Sequence, residues 1–221
     1  MNDKSVRLRR LMIMAMLVAI AYVAVLLTRI PLVPGAEFLT YEPKDALITI
    51  GAYLLDPIAG IIMTVTISFL EMVTFSTTGI IGLVMNVFSS CLFVCTASLI
   101  YHKKRTLTGA LLGLSCAVFL TTCGMLLWNC LITPLYMGVP RSMVIELLLP
   151  VFLPFNAIKS ILNAALTMLL YKSVSSALRA AKLLPPTETR TSVKRYLPVI
   201  IISALIVLGI ALGLMMWSGV I

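Results

Sequence analysis

Apolar side chains fill long blocks of this chain, at about residues 11–30, 46–75, 80–101, 107–133, 154–171 and 197–217. A helix of about 20 apolar residues crosses the ~30 Å hydrocarbon layer of a bilayer. The blocks therefore predict an all-α fold, a polytopic membrane helical bundle. The second block is interrupted by Asp56-Pro57, a turn and helix-start signal. It divides into a short helix over about 43–55 and a longer one over about 57–75. The first of these is short for a membrane span, so it must be buried against its neighbours or lie where the bilayer thins. The division gives a six-helix domain at 11–177, preceded by a basic segment at 1–10. A basic linker with Pro185-Pro186 follows at 178–196, and the block at 197–217 makes a seventh helix. Between the helices lie a loop at 31–45, a polar turn at 74–79, a turn at 134–140 and a partly helical loop at 141–153.

Composition agrees: 61% of the 221 residues are hydrophobic and 11% are charged, and the mean hydropathy is +1.10. Such a chain is not a soluble domain. The net charge of +9 would suggest nucleic acid in a soluble protein, but here the basic residues sit between hydrophobic blocks and report orientation. With the split at Asp56-Pro57, every one of the 17 Lys and Arg residues except Arg29, Lys44, Arg141 and Lys159 falls on one side. The positive-inside rule makes that side cytoplasmic, N-terminus included. The first block lacks a clear small-residue cleavage site and reads as a retained helix rather than a signal peptide. The five cysteines all lie in hydrophobic blocks, where they read as soft packing residues. The single histidine, His102, stands beside Lys103, Lys104 and Arg105 and reads as solvated. No metal site is expected.

Polar residues inside the blocks are then the informative ones. Asn156, Lys159 and Asn163 are spaced i, i+3, i+7 and share a helix face. An ammonium group at mid-membrane costs ~2.5–3.5 kcal/mol on insertion scales, so Lys159 either snorkels to an interface or contributes a polar floor to a ligand site. Asn129, next to Trp128, ends the fifth helix on the same, outward side, and Asn86 lies in the fourth. The 31–45 loop carries Phe38, Leu39 and Tyr41, more apolar bulk than a linker needs, and reads as a cover over a site. Glu71, close to the end of the third helix, reads first as an interfacial acid and second as a group reaching into a cavity. On helix 1, Ala15-xxx-Ala19 is a small-xxx-small pair that permits close helix approach, or ordinary internal packing.

Sequences for nucleotide hydrolysis and common hydrolytic chemistry are missing: there is no G-x-x-x-x-G-K-[ST], H-E-x-x-H or G-x-S-x-G. Paired intramembrane carboxylates and matching interrupted helices, the marks of many coupled carriers, are also missing. The residues favour a small-molecule binder that is not an enzyme. A stand-alone secondary carrier, a small membrane enzyme and a ligand-free structural protein are the competing classes.

In detail the chain resembles the substrate-binding S components of bacterial energy-coupling factor (ECF) transporters, most of all the riboflavin-specific kind. The resemblance rests on Ala15-xxx-Ala19, on Phe38-Leu39-Thr40-Tyr41-Glu42-Pro43-Lys44-Asp45 with Pro57-Ile58-Ala59-Gly60 after it, on Asn129 with Thr133-Pro134-Leu135-Tyr136, and on Pro154-Phe155-Asn156-x-x-Lys159 with Asn163. It implies a six-helix bundle in the bacterial cell membrane. Riboflavin would be held near the outer face by Asn129, Asn156, Lys159 and Asn163, under a gate loop with Leu39, Thr40 and Tyr41, with Trp128 as a further wall. Riboflavin would be transported cargo rather than a cofactor. Ala15 and Ala19 would dock on a transmembrane coupling subunit, two separate ATPase subunits would supply the energy, and the S component would topple to deliver its vitamin. Two features depart from the pattern. The 197–217 helix is additional, and Glu42-Pro43-Lys44 differs from the gate sequence of many riboflavin binders, leaving thiamine, pantothenate or a related vitamin open.

Overall fold

The computed structural model describes residues 3–33, 39–185 and 193–217. Helix α1 spans Asp3–Thr28, a two-strand hairpin pairs β1 (Ile30–Pro31) with β2 (Thr40–Tyr41), and α2 (Lys44–Leu54), α3 (Pro57–Thr74), α4 (Gly79–Lys104) and α5 (Leu107–Leu131) follow. Two short helices, α6 (Thr133–Met137) and α7 (Arg141–Leu147), lead into a π-helical turn at Leu148–Phe152, then α8 (Leu153–Ala180) and α9 (Val193–Trp217). Among the described residues, five helices are long and apolar enough to cross a membrane.

Several boundaries differ from the hydrophobic pattern, α9 for one beginning at Val193 within the expected linker. The basic residues 3–10 continue α1, because solvated Arg and Lys are good helix formers. The segment 141–153 is helical throughout and joins α8 in one run. Pro150 lies within the π turn and Pro154 in the first turn of α8, and both lack the amide donor that a regular helix would use there. At the other end α8 extends to Ala180, into the predicted linker.

The short α2 is the centre of the bundle. Its 11 residues reach only ~16 Å at 1.5 Å per residue, and every residue from Lys44 to Tyr53 is buried. It packs against α1, α3, α4 and α8, so its length is accommodated by burial. The Asp56-Pro57 break behaves as its residues dictate. Asp56 caps α3 by accepting from the Ala59 amide at 2.8 Å, with Pro57 in the first helical position. Arg10 grips the same carboxylate through two nitrogens at 2.8 and 3.0 Å. This ties the start of α1 to the α2–α3 turn.

Helices α4 and α5 approach closely because Gly113 has no side chain; a Cβ there would stand 2.6 Å from the Ala97 carbonyl oxygen. The main core, with Leu17, Ile48, Met63, Phe93 and Leu114, fills the basic end and middle of the bundle. His102 is not simply solvated. Its Nε2 bonds the Ala52 carbonyl at 2.8 Å, satisfying a group at the last turn of α2. Outward faces carry large apolar side chains such as Met12, Met16, Ile20 and Val23 on α1, as a lipid-facing surface requires. Ala15 and Ala19 lie on that exposed side, so neither is buried by packing among the described residues. Helix α9 packs along α8.

Candidate ligand-binding site

At the end of the bundle opposite the Arg10–Asp56 pair, α1, α3 and α5 finish and α4 and α8 begin. The hairpin lies across this end. Ile30 pairs with Tyr41 and Pro31 with Thr40, and Leu32 donates its amide to the Leu39 carbonyl at 3.0 Å. Leu39 then packs with Val144, Phe152 and Phe155, an apolar cluster built by the 141–153 segment. That segment therefore holds down the loop side of the hairpin, where Leu32 and Val33 pack against the same cluster. Phe38, expected to belong to the cover, lies outside the described residues.

Below the hairpin runs a chain of buried charges. Lys44, 1% exposed, is ion-paired with Glu42 at 2.9 Å and bonds Glu71. Glu42 also faces Arg29 and Lys159, each at 3.9 Å. The Asn86 amide donates to Glu71 Oε2 at 3.4 Å, and Ser90 donates to Asp45 at 2.5 Å. Buried charges persist only when paired in this way. Burial by itself raises the Glu42 carboxyl; the Lys44, Lys159 and Arg29 charges outweigh it and hold the group down at about 2. Burial, reinforced by the charge of Asp45, pushes the Tyr41 phenol above its ordinary range, so it stays neutral.

A cavity opens between these charges and the ends of α5 and α8. Its volume is about 40 Å³, room for a few waters. Leu39, Thr40, Asn129, Asn156 and Lys159, all singled out from the sequence, line it together. Asn129 is oriented by accepting from the Thr133 hydroxyl at 2.9 Å, and Asn156 by donating to the Phe152 carbonyl at 2.7 Å beside the π turn. Lys159 stands 6.0 Å from the centre of the Phe155 ring and is largely buried.

Three of the singled-out residues stand elsewhere. Asn163 lies two turns deeper, where it donates to the Glu42 carbonyl at 3.4 Å and supports the cavity floor. Tyr41 is buried beside the cavity without lining it. Trp128 points to the other side of α5, stacked on Phe88 at 5.4 Å and lining a separate apolar groove. It differs from its neighbour Asn129 because adjacent helical residues are rotated by about 100°.

Glu42, Glu71 and Asn86 form a polar wall of the cavity that no spacing along the chain brings together. Glu71 follows its second reading: it lines the cavity and is buried, and Lys44 crosses from α2 to meet it. The available signal was an acid and a lysine at the edges of neighbouring apolar blocks, with nothing to show that they pair.

The family model for the substrate-specific component of ECF transporters matches residues 9–171. The chain belongs to this family. It is 29% identical over 178 residues, covering 77% of this chain and 93% of the relative, to the riboflavin transporter RibU of Staphylococcus aureus (strain TCH60). Among solved structures it is similar to the S component of a bacterial ECF transporter, with a TM-score of 0.67 and 27% identity, covering 78% of this chain and 99% of the other. The ECF S-component helical bundle is therefore the fold of this multi-pass membrane protein. Helix α9 lies beyond the family match.

Proposed function

We propose that this S component binds riboflavin from outside the cell and passes it inward with the help of a coupling subunit and two ATPase subunits. The observation that carries the reading is the cavity itself. Two asparagines and a lysine converge from α5 and α8 under the Leu39–Thr40 hairpin, in a chain similar to a riboflavin transporter. Amide side chains donate and accept at once, which suits the imide and carbonyl edge of a flavin. Lys159 supplies a further donor, and Leu39, Phe155 and Met125 give apolar contact to the ring. The enclosed void is far smaller than a flavin, so entry requires the hairpin to lift or the cavity side chains to part. The charge bias favours a cytoplasmic N-terminus, which would turn the cavity outward. ATP hydrolysis belongs to the partner subunits, and the exposed Ala15–Ala19 face of α1 is the surface offered to the coupling subunit.

Purified protein should carry or bind riboflavin, read by its visible absorbance and by quenching of flavin fluorescence. Asn156→Ala and Lys159→Ala should each weaken binding about 10-fold or more while the protein remains folded. Loss of neither affinity would remove these residues from the site. A thermal shift with thiamine or pantothenate and none with riboflavin would reassign the vitamin.

A further inference from the structure

The α3–α4 wall of the cavity holds an acceptor that the protein leaves unused. Glu71 is 1% exposed and lines the cavity. Its Oε2 is held by Lys44 and Asn86, whereas Oε1 is buried without a hydrogen-bond partner. A buried carboxylate oxygen in that condition is costly, and a donor delivered by a ligand would relieve the cost. The lining from α5 and α8 is of another kind: Asn129 and Asn156 present amides. A ligand with an imide edge at one end and hydroxyl donors at the other would match both walls at once.

We propose that Glu71 is a specificity-determining residue, whose free Oε1 accepts a hydrogen bond from the hydroxyl chain of the flavin. The assignment rests on the riboflavin reading above. Lys44 and the Asn86 amide, both donors, fix the role of the carboxylate by occupying its other oxygen. They also make Glu71→Gln informative. Its amide oxygen would turn toward the two donors and its NH₂ would stand where Oε1 stands now, replacing an acceptor by a donor in nearly the same volume.

The test compares riboflavin with lumiflavin, which keeps the ring system and carries a methyl group in place of the hydroxyl chain. Both are titrated by fluorescence quenching into wild type and E71Q. Wild type should bind riboflavin more tightly, and E71Q should weaken riboflavin by about 10- to 100-fold, the range for a hydrogen bond to a charged group. Lumiflavin affinity should change less than about 3-fold, a readout that a general structural defect would move equally. If E71Q weakens both flavins by the same factor, or neither, the assignment is wrong. If E71Q cannot be produced folded, Asn86→Ala, which loosens the carboxylate, must reduce the riboflavin-to-lumiflavin preference; an unchanged preference overturns the assignment. Wild type that binds both flavins equally overturns the role of Glu71 alone, whereas wild type that binds neither refutes the riboflavin reading and the assignment with it.

Discussion

Replacing Lys44 by methionine keeps the unbranched shape of the side chain, one atom shorter, and removes its charge. In the native bundle this ammonium is 1% exposed and holds two carboxylates, those of Glu42 and Glu71. Breaking a buried ion pair from one side costs ~3–5 kcal/mol, because the remaining charge has left water without compensation. Two acids lose their partner here, which argues for the upper part of that range. Against it, Glu42 retains Lys159 and Arg29 at 3.9 Å, and Glu71 retains the Asn86 amide at 3.4 Å. The middle, ~4 kcal/mol, is therefore expected. For a chain of this size each kcal/mol moves the melting temperature by ~2–4 °C, so K44M should melt about 8–16 °C lower in detergent. The double variant K44M/E71Q removes one orphaned charge and should be less destabilised than the sum of the two single variants by ~1–3 kcal/mol. A K44M protein that melts within ~2 °C of wild type, or strictly additive single variants, would show that Lys44 is not holding the two acids together.

Gly113→Ala places a Cβ 2.6 Å from the Ala97 carbonyl oxygen and should destabilise by ~1–3 kcal/mol by forcing α4 and α5 apart, read by thermal unfolding; an unchanged melting temperature would deny the close approach. Glu42 is held down at about 2 from an ordinary value of 4.5, so its stabilising contribution is complete above pH 4.5 and is lost as the pH falls through about 2. The melting difference between wild type and Glu42→Gln should accordingly stay constant from pH 8 to 5, and a difference that shrinks over that range would contradict the pairing. Ala15→Leu with Ala19→Leu, on the exposed side of α1, should abolish vitamin uptake with the ATPase and coupling subunits and leave riboflavin affinity within about 3-fold; retained uptake would place the docking surface elsewhere.

Sequence reasoning reached residues in proportion to how local their signal was. Asp56-Pro57 could be read as a cap and a helix start because the interaction spans three residues, from the Asp56 carboxylate to the Ala59 amide. The common face of Asn156, Lys159 and Asn163 was equally legible, since a helix fixes it. Depth was not: Asn156 and Lys159 reach the cavity, while Asn163 serves the floor beneath Glu42. Trp128 shows the limit of adjacency along the chain. It stands directly before Asn129 in the chain and stacks on Phe88 in the folded bundle.

By itself the sequence determined the all-helical membrane fold, the division of its second apolar block and the polar residues of α5 and α8, because apolar length, turn chemistry and helical periodicity act over a few residues at a time. Tertiary structure alone decided that α2 is the buried axis, that residues 141–153 form the helical support of the hairpin, and that Lys44, Glu42 and Glu71 meet. Lys44 and Glu71 stand 27 residues apart. Their pairing is worth making only after α2 and α3 have excluded water from between them, and no pattern along the chain encodes that exclusion.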